Sequence, residues 1–294
     1  MNLKGLGVAM VTPFNPDGSI DFDAIPRIVE NISVGGADYL VVLGTTSEVP
    51  CLSITEKKEI IDCIVKANIH NLPLVIGIGG NNTTAVAEEI KNSNLAPFQA
   101  ILSVSPYYNK PTQEGIYQHY AYLAKVSPLP LIVYNVPSRT GTSIMPETFV
   151  RLAHDFENII AIKESSGDMY HAEKMLKSCP PNVQVISGDD ALALPMLLAG
   201  AVGNISVLGN ALPTPLIQMF NYAASGDLEK AYRIHYQLID IIQLLFVEGN
   251  PVGIKALLEV LSLCNKTVRL PLVPATNGLT QKFESELESV LELK

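Results

Sequence analysis

The chain has 294 residues, 48% of them hydrophobic and 17% charged, with a formal net charge of -9 at pH 7. Such a composition buries a large core and excludes a disordered chain, while its acidic balance argues against non-specific nucleic-acid binding and against docking on anionic membranes. No uninterrupted apolar run approaches the roughly 18 residues of a membrane span, and the first residues lack the apolar stretch and cleavage site of a signal peptide.

Residues 6–11 form the first apolar run, read as a strand ended by Thr12-Pro13. Residues 21–32 carry a helical pattern with Asp21 as its N-cap. A second strand is predicted over 39–43. Ser53 opens the next helix, because Ser53-Ile54-Thr55-Glu56 has the capping-box spacing. The third strand is 74–78, with a helix over 83–93, and the fourth is 100–104, with a helix over 113–125. The fifth, 131–134, precedes a helix over 146–154 that starts on a proline. The sixth is 159–162 with a helix over 170–177, and the seventh is 183–186 with a helix over 191–199. The eighth, 202–207, is followed by a helix over 215–224. Short apolar runs separated by helices indicate βαβ units and a parallel sheet. About eight such units point to an α/β fold of the (β/α)8 TIM-barrel type rather than to an open sheet. Past Gly226 the strands stop, and 227–247, 251–263 and 279–293 all read as helical. The expected division is a barrel over 1–224 that carries the active site and a C-terminal helical extension over 225–294 packed on it.

Cys51, Cys63, Cys179 and Cys264 are scattered without a CxxC pair, the pattern of reduced thiols in a cytoplasmic protein. His70, His119, His154, His171 and His235 all fall in predicted helices or at their ends, so no zinc or iron site is expected. There is no P-loop and no GxGxxG after the first strand. The loop after the seventh strand, a frequent phosphate site in barrels, carries Asp189 and Asp190, which argues against a phosphorylated substrate.

Barrel chemistry sits at the C-terminal ends of the strands, so the residues that follow each apolar run are the candidates. Lys163 continues the run Ile159-Ile160-Ala161-Ile162. Lysines are almost never buried without a partner or a role. A desolvated lysine favours its neutral amine, the form that attacks a carbonyl carbon to make a Schiff base. Snorkelling at the strand end, or pairing with Glu164, is the alternative, and position alone does not decide between them. Thr45, Thr46, Tyr108 and Tyr134 also lie at predicted strand ends. Schiff-base chemistry needs repeated proton transfers, which hydroxyls carry; each of these residues taken alone is an ordinary strand residue. Arg139 follows the fifth strand, where a guanidinium holds a carboxylate bidentately or forms a surface salt bridge. Gly44, Gly79, Gly80 and Gly188 admit a ligand close to the backbone or make tight turns. Asn81 reads as a helix cap more than as a ligand contact.

In chain order, GVAMVTPF near the start, GTTSE at Gly44, SPYYNKPTQEGIYQHY at Ser105, YNVPSRTG at Tyr134, IKESSG at Ile162 and SGDD at Ser187 resemble the dihydrodipicolinate synthase / N-acetylneuraminate lyase family. These are pyruvate-dependent class I aldolases of (β/α)8 fold, and the likeness runs along essentially the whole chain. Thr45-Thr46, where lyases tend to carry Ser-Thr, and Arg139 favour the synthase branch. The resemblance implies that Lys163 forms the imine with pyruvate. It implies a proton relay of Tyr134, Thr45 and a Tyr108 reaching in from a neighbouring subunit. Thr46 would hold the pyruvate carboxylate, Gly188 and Ile205 would line the pocket, and Arg139 would hold the carboxylate of the incoming L-aspartate 4-semialdehyde. Cyclisation would then give the heterocycle that leads to diaminopimelate and lysine. No metal or organic cofactor is implied, and the assembly would be a homotetramer built from tight dimers. The Gly common before the Glu of GTTGE is Ser47 here. At the site where lysine inhibits sensitive members, Asn81 and Tyr107 match. The positions usually held by Ser, Ala, His, His and Glu carry Val49, Pro50, Ile54, Lys57 and Ala85. Losing a carboxylate and gaining Lys57 disfavours a cationic ligand, so weak or absent lysine feedback is expected. A sialic-acid or keto-deoxy sugar acid lyase, and a non-catalytic barrel that binds a keto acid, are the competing readings; Arg139 with Thr45-Thr46 speaks against the first, and Lys163 with its hydroxyls against the second.

Overall fold

A computed structural model describes residues 1–291. Strands β1 (Gly5–Ala9), β2 (Tyr39–Val42), β3 (Leu74–Gly77), β4 (Ala100–Val104), β5 (Leu131–Asn135), β6 (Ile159–Glu164), β7 (Gln184–Ser187) and β8 (Gly203–Ser206) follow one another in sequence order around a closed barrel. Helices alternate with them: α1 (Ala24–Val34), α2 (Ile54–Ala67), α3 (Thr83–Asn92), α4 (Gln113–Val126), α5 (Pro137–Thr140), α6 (Pro146–Asp155), α7 (Met169–Ser178), α8 (Ala193–Leu198) and α9 (Pro213–Ser225). Strands such as β2 and β5 are short, rich in branched residues and buried along their length, which is why they read as continuous apolar runs rather than alternating ones. Beyond α9 the described chain adds three helices, α10 (Leu228–Val247), α11 (Val252–Val260) and α12 (Asn277–Leu291), the last two joined by an irregular stretch over 261–276. Among the described residues, no helix is long and apolar enough to cross a membrane.

The chain divides into two compact units. The first comprises Met1–Lys4 and Pro73–Ile205. Its sheet is parallel, and the register sets Tyr134 beside Lys163 and Lys163 beside Ile186. A register shift opposite Leu131 and Ile132 absorbs Ile160, so that Ile132 pairs with Ala161. Leu3 and Gln184 tie the N-terminal residues to β7 through a 2.9 Å hydrogen bond. The second unit comprises Gly5–Leu72 and the described chain from Ser206 onward. There β1 pairs with β2 in parallel, and α12 packs on α10 and α11 through the buried Leu279, Phe283 and Leu287. Each such side chain withdrawn from water contributes about 1.5–3 kcal/mol.

Several local expectations shift. Ser53 makes the full capping box with Glu56 at the start of α2, as the spacing predicted. Helix α1 begins at Ala24, with Asp23 at the N-cap; Asp21 instead accepts a 2.9 Å hydrogen bond from the Ala24 amide one turn earlier. Asn82, not Asn81, caps α3, accepting from the Ala85 amide. The residues after Val136 form the short helix α5, which the single apolar periodicity there did not reveal. Helix α11 ends at Val260 rather than 263 because Ser262 takes a left-handed backbone, φ +58°. The last two residues of the helix predicted to end at 293 lie outside the described residues.

Candidate active site

In the first unit, Lys163 stands at the end of β6 and is 5% exposed. Successive side chains on a strand point to opposite faces. Glu164 therefore faces away from Lys163, and its partners show it. One carboxylate oxygen accepts from Asn135 Nδ2 at 2.8 Å, the other from the Ser166 amide at 2.6 Å, and His171 Nε2 lies 3.5 Å away. The pairing of Lys163 with Glu164 is thereby excluded. Instead Lys163 Nζ lies 4.5 Å from the centroid of the Tyr134 ring, the register neighbour on β5. Tyr134 itself is 6% exposed.

Gly188 closes on the same lysine. A Cβ at this position would sit 2.5 Å from Lys163 Cε and would overlap Ser165 Oγ, so any larger residue here obliges one or both side chains to shift. Its amide donates to Glu164 O at 2.8 Å, which fixes β7 beside β6 at this level. Among the described residues, the Ser165 hydroxyl is buried there without a hydrogen-bond partner. The acids that follow are occupied: Asp190 accepts from Asn204 Nδ2 at 2.7 Å, and Asp189 accepts from the Ala191 amide at 2.9 Å. Burial raises the Asp189 carboxyl above its usual range. Ile205 is fully buried on β8.

Two further candidates of this unit are exposed. Arg139 is exposed, in the last turn of α5. Tyr108 follows β4 with a left-handed backbone, φ +75°, and 85% of its surface is open. Lys110, left-handed as well, packs its Cε 2.8 Å from where a Cβ on Gly141 would be, so the loops after β4 and β5 touch.

Thr45 and Thr46 belong to the second unit, in a single 3-10 turn over Thr45–Ser47 that follows β2. Thr46 is 2% exposed and accepts from Asn250 Nδ2 at 3.3 Å. Ser47 needs no glycine-like backbone; its buried hydroxyl donates to Met10 O at 2.6 Å, and Thr12 Oγ1 donates to Ser47 O at 2.9 Å. Sequence reasoning missed Lys255, which is fully buried and pairs with Glu48 at 2.5 Å across 207 residues of chain. Burial pushes the Lys255 ammonium below its ordinary range, against the opposing pull of Glu48. The apolar helix around Lys255 was its only sequence signal.

A closed parallel barrel with a buried strand-end lysine over a tyrosine ring defines the class, a (β/α)8 barrel. More specifically, the chain belongs to the dihydrodipicolinate synthetase family, whose model matches residues 2–290. It is 50% identical over 280 residues to the 4-hydroxy-tetrahydrodipicolinate synthase of Flavobacterium psychrophilum, spanning 95% of this chain and 96% of that one. The crystal structure of dihydrodipicolinate synthase from Thermotoga maritima superposes with a TM-score of 0.95 at 35% identity, covering 99% of both chains. The chloride-inhibited dihydrodipicolinate synthase from Acinetobacter baumannii, complexed with pyruvate, superposes with a TM-score of 0.94 at 35% identity, covering 98% of this chain and 99% of that one.

Proposed function

We propose that the chain is a lyase that condenses pyruvate with L-aspartate 4-semialdehyde through an imine on Lys163, giving 4-hydroxy-tetrahydrodipicolinate. The observation that carries this reading is Lys163 itself: a buried strand-end amine over the Tyr134 ring, with its neighbouring carboxylate facing the other way. The relatives' names and the bound pyruvate of the Acinetobacter enzyme support the choice of substrates.

Lys163 Nζ, as the neutral amine, attacks the C2 carbonyl carbon of pyruvate. The resulting carbinolamine loses water to leave the iminium. Removal of a C3 proton gives the enamine, whose C3 attacks the aldehyde carbon, and the new alkoxide takes up a proton. The substrate's own amine then adds to C2 and displaces Lys163, closing the ring and freeing the enzyme. Tyr134, Thr45 and the partner-facing Tyr108 carry these protons, each transfer by a positioned group supplying about 10²–10⁴-fold. Thr46 holds the pyruvate carboxylate, Gly188 and Ile205 shape the pocket, and Arg139 receives the carboxylate of the aldehyde. The assembly of this reading is a homotetramer of tight dimers in which Tyr108, exposed in the single chain, completes a neighbour's site. The barrel of this reading is residues 1–224, and the extension that begins at residue 225 is helical over α10, α11 and α12 of its described residues, in a cytoplasmic enzyme.

Borohydride reduction in the presence of pyruvate tests the imine. One pyruvate adduct per chain, mapped to Lys163 and absent in Lys163→Ala, is expected. An adduct on another lysine, or none, would reject the assignment. Turnover of sialic-acid or keto-deoxy sugar acid substrates in preference to the semialdehyde would move the protein to the lyase branch.

A further inference from the structure

Within the second unit, the turn that carries Thr45 and Thr46 runs straight into Glu48, a residue with left-handed backbone, φ 54° and ψ 38°. Such a conformation outside glycine is strained and persists only where its surroundings over-determine it. They do so here. Lys255 Nζ donates to one Glu48 carboxylate oxygen at 2.5 Å, and the Arg269 amide donates to the other at 2.9 Å. Lys255 also donates to Thr267 O at 2.9 Å and lies 4.0 Å from the centroid of the Phe14 ring. The Arg269 guanidinium covers the same ring at 4.5 Å and donates to Cys51 O at 2.9 Å, at the far end of the loop.

A buried ion pair is a poor source of net stability, because desolvating both charges offsets most of their attraction. What this pair fixes is the path of the loop. Asn250, five residues before Lys255, adds a direct tie: its Nδ2 donates to Thr46 Oγ1. An amide nitrogen only donates, so Thr46 accepts there and its own O–H proton is left for another acceptor. A carboxylate is an acceptor and nothing else when ionised.

We infer that Asn250, Lys255 and Glu48 are positioning residues for pyruvate: Lys255 and Glu48 hold the Thr45–Ser47 turn in place, and Asn250 aims the Thr46 proton at the substrate carboxylate. The inference rests on the Schiff-base reading above, in which Thr46 receives that carboxylate. It gives the C-terminal segment a part in substrate binding that its distance in sequence from β2 conceals.

The test uses the full-length protein and the variants Asn250→Asp, Glu48→Gln and Lys255→Met. Borohydride trapping is measured over a pyruvate series by intact mass, beside steady-state kinetics and thermal midpoints. In Asn250→Asp and Glu48→Gln, the pyruvate concentration for half-maximal trapping and the KM for pyruvate are expected to rise about tenfold or more, the factor carried by one lost hydrogen bond to a charged group. Trapping at saturating pyruvate still goes to completion, and the KM for the aldehyde is unchanged. A merely structural role lowers the thermal midpoint and leaves pyruvate dependence where it was, so folded variants with that behaviour overturn the inference. Lys255→Met strands a buried carboxylate; where it fails to fold, the two milder variants decide. Absence of trapping in the wild-type protein removes the Schiff-base reading and this inference with it.

Discussion

A methyl group added at Gly188 would sit 2.5 Å from Lys163 Cε. The lysine must shift to admit it, and displacing a reacting group by about 1 Å can cost 10²-fold in rate. Gly188→Ala is therefore expected to lower kcat by about that factor while the protein stays folded; wild-type turnover in the folded variant would show that Lys163 and Ser165 make room without displacing the reacting amine. His119 offers a second test at this scale. Its Nδ1 lies 2.8 Å from Thr83 Oγ1, and burial pushes the imidazole down to about 4. The folded state holds it neutral while the unfolded state protonates near 6.5, so the unfolded chain binds more protons as the pH falls. Stability is thus whole above pH 6.5 and is lost as the pH drops toward 4, by on the order of 3 kcal/mol. His235, whose pKa is also lowered by burial, adds to the same slope. Urea midpoints measured across this range should flatten in His119→Leu; an unchanged slope would contradict the assignment. Lys163 was legible in the sequence because a charge ends an apolar run. The buried partners of Glu48 were not, since nothing local marks a contact 207 residues away.

At the scale of elements, strand positions were legible and helix ends less so. A parallel strand buried on both faces leaves a continuous apolar signature, and β4 was placed to the residue at Ala100–Val104. Helix termini depend on single backbone choices, such as Asn82 rather than Asn81 at the start of α3. The short helix α5 escaped because four residues carry no periodicity. The capping box at α2 is the element feature most open to measurement. Ser53 Oγ accepts from the Glu56 amide while Glu56 accepts from the Ser53 amide at 2.8 Å. Ser53→Ala should cost about 1 kcal/mol, read as a lower urea midpoint with an unchanged m-value. Loss of activity at unchanged stability would mean that the β2–α2 segment matters for chemistry rather than for helix initiation.

For the whole molecule, the family was legible because its motifs stand at successive strand ends in order, whereas assembly is not written in one chain. Tyr108, exposed with a left-handed backbone, is the residue through which assembly would act on activity. Tyr108→Phe should lower kcat about a hundredfold, the low end of the 10²–10⁴ for a proton-transfer group, and a fully active monomer in sedimentation and assay would refute its role across subunits. L-lysine should inhibit weakly or not at all, since Lys57 and Ala85 replace a histidine and a carboxylate expected of sensitive members; submillimolar half-inhibition would contradict that. The most direct measurement is pyruvate consumption with and without L-aspartate 4-semialdehyde, with Lys163→Ala as the blank. The proposed chemistry predicts loss of pyruvate that depends on the aldehyde and vanishes in the blank. Consumption that persists in Lys163→Ala, or no consumption by the wild-type protein, would contradict it.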